Sequence, residues 1–105
     1  MTVTYNNNDY ELRLNARACV ELEKKLQTNP VNTLIRFSEK NEIPSFTTLF
    51  TIIQAALPKD QKVENLYDDM CADGLGFEAL MNLVVDVFRE AGLIPEGNEE
   101  TDEKN

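Results

Sequence analysis

Few side chains in this sequence could do chemistry, and their spacing does not assemble them. There is no histidine, which removes the commonest general acid/base and the commonest metal ligand. Ser38 and Ser45 are the only serines. Neither stands in the glycine-flanked turn that exposes a nucleophile. Ser45, just ahead of an apolar run, reads as a helix N-cap. Asp68, Asp69 and Asp73 make the one compact acidic cluster. A calcium loop needs six or more oxygens at set spacing around a glycine turn, whereas these carboxylates fall on the outer side of a helical pattern, so a solvated face is expected. Gly74-Leu75-Gly76 reads as a helix-to-helix junction, not a phosphate cradle. Cys19 and Cys71 lie far apart, each inside a helical pattern. Without histidine they have no zinc spacing, and they read as two buried free thiols, with a disulfide between them as the alternative. No catalytic, cofactor or metal site is assigned, and no enzyme is expected.

The elements that would carry these residues are mostly helices. Residues 2–14 are the exception. Tyr10, Leu12 and Leu14 alternate with Glu11 and Arg13, Val3 and Tyr5 alternate with threonines, and Asn6-Asn7-Asn8-Asp9 lies between. Period-two patterning around turn-prone asparagines predicts a β-hairpin. Asn15 caps a helix reaching about Gln27, with Cys19, Leu22 and Leu26 inward and Ala18 widening the stripe. Asn29-Pro30 begins a second helix, with Val31, Leu34 and Ile35 apolar and Pro44 as its stop. Ser45 opens a third. There Phe46, Leu49, Phe50, Ile53, Ala56 and Leu57 form a stripe that leaves Ile52 outside. Asp60 caps a fourth, whose inward residues are Val63, Leu66, Tyr67, Met70 and Cys71, and Gly74 closes it. The fifth runs from about Phe77 to Ala91 and ends at Gly92, where Leu93 and Ile94 can fold back. The expected fold is mainly α: a compact five-helix domain over residues 1–95 with a short N-terminal hairpin. From Glu96 to Asn105 there are five acids, one lysine and no apolar residue, which predicts a disordered acidic tail.

Charge narrows the partners. Nineteen acids against 10 bases give a net −9. That opposes nucleic acid, whose phosphates demand clustered Lys/Arg, and equally an anionic membrane surface. No stretch approaches the ~20 apolar residues of a membrane span, and the first residues carry no secretion-signal pattern. What remains is an excess of apolar surface. The fifth helix has Leu83 and Val85 beyond its stripe, and the third has Ile52. Ile52, Leu83 and Val85 are therefore the expected partner contacts, as the apolar positions least needed by their own helices.

The order of segments also resembles a known family. Tyr10-Glu11-Leu12-Arg13-Leu14-Asn15 leads into Leu22-Glu23-Lys24-Lys25-Leu26, and Asn29-Pro30-Val31 follows. Ile43-Pro44-Ser45-Phe46-Thr47-Thr48-Leu49 opens a helix ending in Gln54-Ala55-Ala56-Leu57. Then come Tyr67-Asp68-Asp69 and a closing Ala91-Gly92-Leu93-Ile94-Pro95. Over residues 9–95 this resembles the tail assembly chaperones of long-tailed phages and prophages of Gram-positive bacteria. The resemblance rests on a diffuse pattern, with no catalytic motif or binding residue to transfer. It implies a protein of the infected host's cytoplasm, absent from the mature virion. Such a protein binds the helical, aggregation-prone tape measure protein, keeps it soluble and promotes tube assembly around it. It further implies contact with the tail tube protein through a frameshifted longer form. Self-association is a further expectation. Two other readings predict different things: a small virion connector subunit would be found in purified particles, and an acidic DNA mimic would line one face with its carboxylates.

Overall fold

A computed structural model of the chain describes residues 1–94; the acidic tail expected at 96–105 lies outside them. A hairpin of β1 (Thr2–Tyr5) and β2 (Asn8–Glu11) precedes five helices: α1 (Ala16–Leu26), α2 (Asn32–Lys40), α3 (Phe46–Ala56), α4 (Val63–Ala72) and α5 (Phe77–Glu90). The mainly α fold class with its N-terminal hairpin is as expected from the sequence.

The strands are antiparallel, in register Val3 to Tyr10 and Tyr5 to Asn8. Two residues, Asn6 (φ 52°) and Asn7 (φ 64°), make the turn. Asparagine tolerates this left-handed backbone, which matches the twist of the flanking strands. Asn8 and Asp9, read from sequence as turn, belong to β2. The alternation sets Tyr10, Leu12 and Leu14 in the core. The Arg13 N–H, donating to the Ala56 carbonyl at 2.8 Å, ties the end of the hairpin to α3.

The helix ends show how local chemistry sets the boundaries. Asn15 Oδ1 accepts from the Ala18 N–H at 2.9 Å, and Ser45 Oγ from the Thr48 N–H at 3.1 Å. Both residues are the N-caps expected. At α2 the Asn29 side chain accepts from the Val31 N–H at 3.0 Å. A tight turn through Pro30 then leads into the helix at Asn32. The helix stops at Lys40, four residues before the expected Pro44, because Asn41 adopts φ 58° and its N–H turns back to the Phe37 carbonyl. At α4 the expected cap Asp60 is not used. Instead, α3 supplies the cap: Gln54 Oε1 accepts from the Val63 N–H at 3.0 Å, while its Nε2 donates to the Gln61 carbonyl at 2.9 Å. Gly74 (φ 81°) closes α4, with the Leu75 N–H reaching the Met70 carbonyl. Gly92 (φ 80°) does the same for α5, where Leu93 reaches the Phe88 carbonyl. Leu93 and Ile94 fold back on the core.

Helix α3 is the centre of the domain, with α1, α4 and α5 all against it. This overturns the reading of Ile52 as surplus. Leu49, Ile52 and Ile53 are all 0% exposed. A helix with three neighbours buries a wide arc, whereas a single stripe assumes one neighbour. Phe46, assigned to the stripe, is displaced to a flank and is 46% exposed. Its ring meets Phe77 (5.0 Å between centroids), Tyr67 (5.5 Å) and Phe50 (5.9 Å) edge-on, the arrangement favoured by aromatic quadrupoles. Cys71, expected inside, is exposed, and Cys19 is only half-buried; both are free thiols.

Candidate partner-binding groove

The acidic cluster has a structural task. Asp69 accepts from the Tyr10 hydroxyl at 2.5 Å, from Asn8 Nδ2 at 2.9 Å and from Asn6 Nδ2 at 3.2 Å. One helical turn on, Asp73 accepts the Asn6 N–H at 2.8 Å. Two carboxylates of α4 thus hold the hairpin and its turn. Asp68 and Asp73 are exposed, as expected of a solvated face, and Asp69 is half-buried; what the sequence did not indicate is that Asp69 and Asp73 bind the hairpin. Among the described residues no group of three or more Cys, Asp or Glu side chains is arranged to hold a metal ion. No described helix is long and apolar enough to cross a membrane.

These hydrogen bonds hold the Asp69 carboxyl below the usual carboxylate range, with the Tyr10 hydroxyl the largest cause. Burial, followed by the bond to Asp69, pushes the Tyr10 hydroxyl up from 10.0 to about 12. A lowered carboxylate favours the fold above its unfolded-state value and loses that contribution as pH falls through the folded value. A raised tyrosine favours the fold below its unfolded-state value and loses that contribution as pH rises through the folded one. Tyr10→Phe is accordingly expected to cost about 0.5–1.5 kcal/mol near neutrality, the net worth of one hydrogen bond. It should also flatten the alkaline loss of stability between roughly pH 10 and 12. Thermal melts followed by circular dichroism across that range check both effects; an alkaline limb unchanged in the variant would refute the assignment.

Apolar surface is left over elsewhere. Helix α2 has no fully buried residue, although Leu34, Ile35 and Phe37 lie along it. Between α2 and α5 is a cleft of about 460 Å³. Leu34, Phe37 and Ser38 of α2 line it, with Ile43 of the following loop and Phe77, Glu78, Met81, Asn82 and Val85 of α5. Among the described residues Glu78 is its one charged side chain. Met81 is the most buried of the set, and its unbranched thioether can adapt to varied occupants. Phe37 is 40% and Ile43 70% exposed. Phe77 joins the groove to the aromatic cluster around Phe46.

Of the three positions expected from sequence, the structure brings only Val85, half-exposed, to this groove. Ile52 lies in the core, and Leu83 is 3% exposed. Neither can touch a partner while the fold is intact, so both assignments are corrected. Leu83 and Val85 are two residues apart, roughly 200° around a helix. They therefore flank the buried stripe on opposite sides, and only one flank can face the groove. Sequence reading missed Leu34, Phe37, Ile43, Phe77 and Met81 as groove residues. The available signal was the Ile43-Pro44 pair, an apolar residue in a loop outside any helical stripe.

Comparison of the chain with protein-family models, curated proteins and solved structures finds no match. The class defined at this point is therefore one of architecture: a helical domain with an N-terminal hairpin and an apolar groove.

Proposed function

We propose that the chain is a tail assembly chaperone of the long-tailed phage type. In this reading it shelters apolar helix faces of the tape measure protein during assembly, in the host cytoplasm, and leaves before the virion is complete. The observation that carries the reading is the groove between α2 and α5, whose apolar lining includes Phe37 and Ile43 in open contact with solvent. An exposed apolar concavity on a strongly acidic domain suits transient capture of an aggregating helical client. The segment pattern over residues 9–95 supports the same reading. No chemistry on the client is required: burial and release do the work. One groove covers less than the ~800 Å² per partner of a standard stable interface. Weak single contacts repeated by several copies along one client would give hold with easy release. Contact with the tube subunit belongs to a longer, frameshifted form and is part of the same proposal.

Co-expression with the tape measure protein tests the reading. The soluble yield of that protein should rise several-fold, and the two chains should co-purify. An unchanged yield without co-purification would end the proposal.

A further inference from the structure

We infer that the groove between α2 and α5 takes a cationic amphipathic helix of two to three turns, seated with a lysine or arginine beside Glu78. The inference deepens the chaperone reading and rests on it for the groove's role as a shelter. Three observations on the groove lead to it.

The first is backbone chemistry. Nearly all of the lining belongs to helices, whose peptide groups are paired within α2 and α5 except at the helix ends, as in the uncapped first turn of α5 at Phe77 and Glu78. The walls are apolar side chains. An extended peptide would bury its own N–H and C=O groups there without partners. A helix brings its backbone already satisfied, and so the occupant is helical.

The second is length. Along α5 the groove runs from Phe77 to Val85, about 12 Å at 1.5 Å per residue. Side chains at i, i+3 or i+4, and i+7 of a docked helix cover about 10.5 Å by the same rise. Two turns fill the groove, and a third overhangs it by about 4 Å.

The third is charge. Among the described residues Glu78 is the only charged one lining the groove. The ion pairs among the described residues are Met1 with Glu11 and Glu90, and Arg89 with Asp86; no described cation pairs with Glu78. The whole chain carries −9, so a basic helix is drawn in. A second copy of this chain would approach against that same charge. The stretch from Glu96 to Asn105 offers five acids and no apolar residue. Charge therefore selects a cationic partner over both.

The test uses the full chain and a fluorescein-labelled synthetic peptide of about 15 residues, long enough to reach a helical state. Leucines occupy i, i+3, i+4 and i+7, with lysines on the flanks; a second peptide carries glutamates in place of the lysines. Fluorescence anisotropy should show the lysine peptide binding and the glutamate peptide not. Ile43→Asp should weaken binding at least about tenfold, as expected when an interface anchor is lost. Glu78→Lys should weaken it about threefold, the scale of one exposed ion pair, and shift preference toward the glutamate peptide. Val20→Asp, on exposed α1 surface away from the groove, should bind as the parent does. Equal weakening by Val20→Asp and Ile43→Asp would overturn the inference, as would parental affinity in Ile43→Asp. So would concentration-dependent self-association that competes with the peptide, because the occupant would then be a second copy. Peptide binding lost in Ile43→Asp, with no effect of the chain on tape measure solubility, would uphold this inference while ending the chaperone reading. Client rescue by a chain that binds neither peptide would do the reverse.

Discussion

Ile52→Ala is expected to destabilise the fold by about 2–5 kcal/mol, the range for emptying a fully buried aliphatic site. Ile43→Ala should stay within about 0.5 kcal/mol of the parent, as surface changes usually do. The same residue type thus has opposite outcomes, because Ile52 is 0% and Ile43 70% exposed. Ile52 sits on α3, which is bordered by α1, α4 and α5, and cavities at such crossings collapse poorly in a close-packed interior. For a domain of this size each kcal/mol moves Tm by roughly 4–8 °C, so the Ile52→Ala melt should fall by at least about 8 °C. Urea titration of both variants gives the free energies directly. Similar midpoints would mean that α3 is not the hub of the core.

The second large effect concerns the groove. Ile43→Asp should leave helicity and melting near the parental values, because the side chain lies in a loop and mostly in solvent. On the proposed reading it should nevertheless remove most of the gain in tape measure solubility expected from the parent chain. A carboxylate at that position would be buried against the client's apolar face without a partner, which costs far more than the contact it replaces. The expected reading is a soluble client yield close to that without the chain, against a several-fold gain with the parent. Ile52→Ala serves as the contrast: at temperatures where it is folded, its groove is intact and rescue should persist.

How much of this was legible in the sequence depended on the range of the interaction involved. Local chemistry could be read: the hairpin from the alternation of Tyr10, Leu12 and Leu14, the caps Asn15 and Ser45, and the closing glycines Gly74 and Gly92. Each depends on residues within a turn of one another. Features set by distant partners could not be read. Asp69 and Asp73 grip a turn more than sixty residues away, and nothing in their i,i+4 spacing indicates it. Gln54 displaces Asp60 as the cap of α4 because tertiary packing brings the end of α3 to that point. Stripe counting treats a helix as having one neighbour, and for that reason Ile52 and Leu83 were read as spare when both are core. Val85 was legible because it lies on the flank that stays open. The groove itself needed α2 and α5 to be placed side by side, and only the fold does that.

On the proposed reading, an apolar helix of the client is held in the α2–α5 groove. Amide chemical-shift mapping of the labelled chain with a soluble helical fragment of the tape measure protein tests it most directly. Shifts should concentrate in residues 34–43 and 77–85, with the hairpin and α1 unchanged. Shifts centred on the hairpin or α1, or none at concentrations where the fragment is kept soluble, would contradict it.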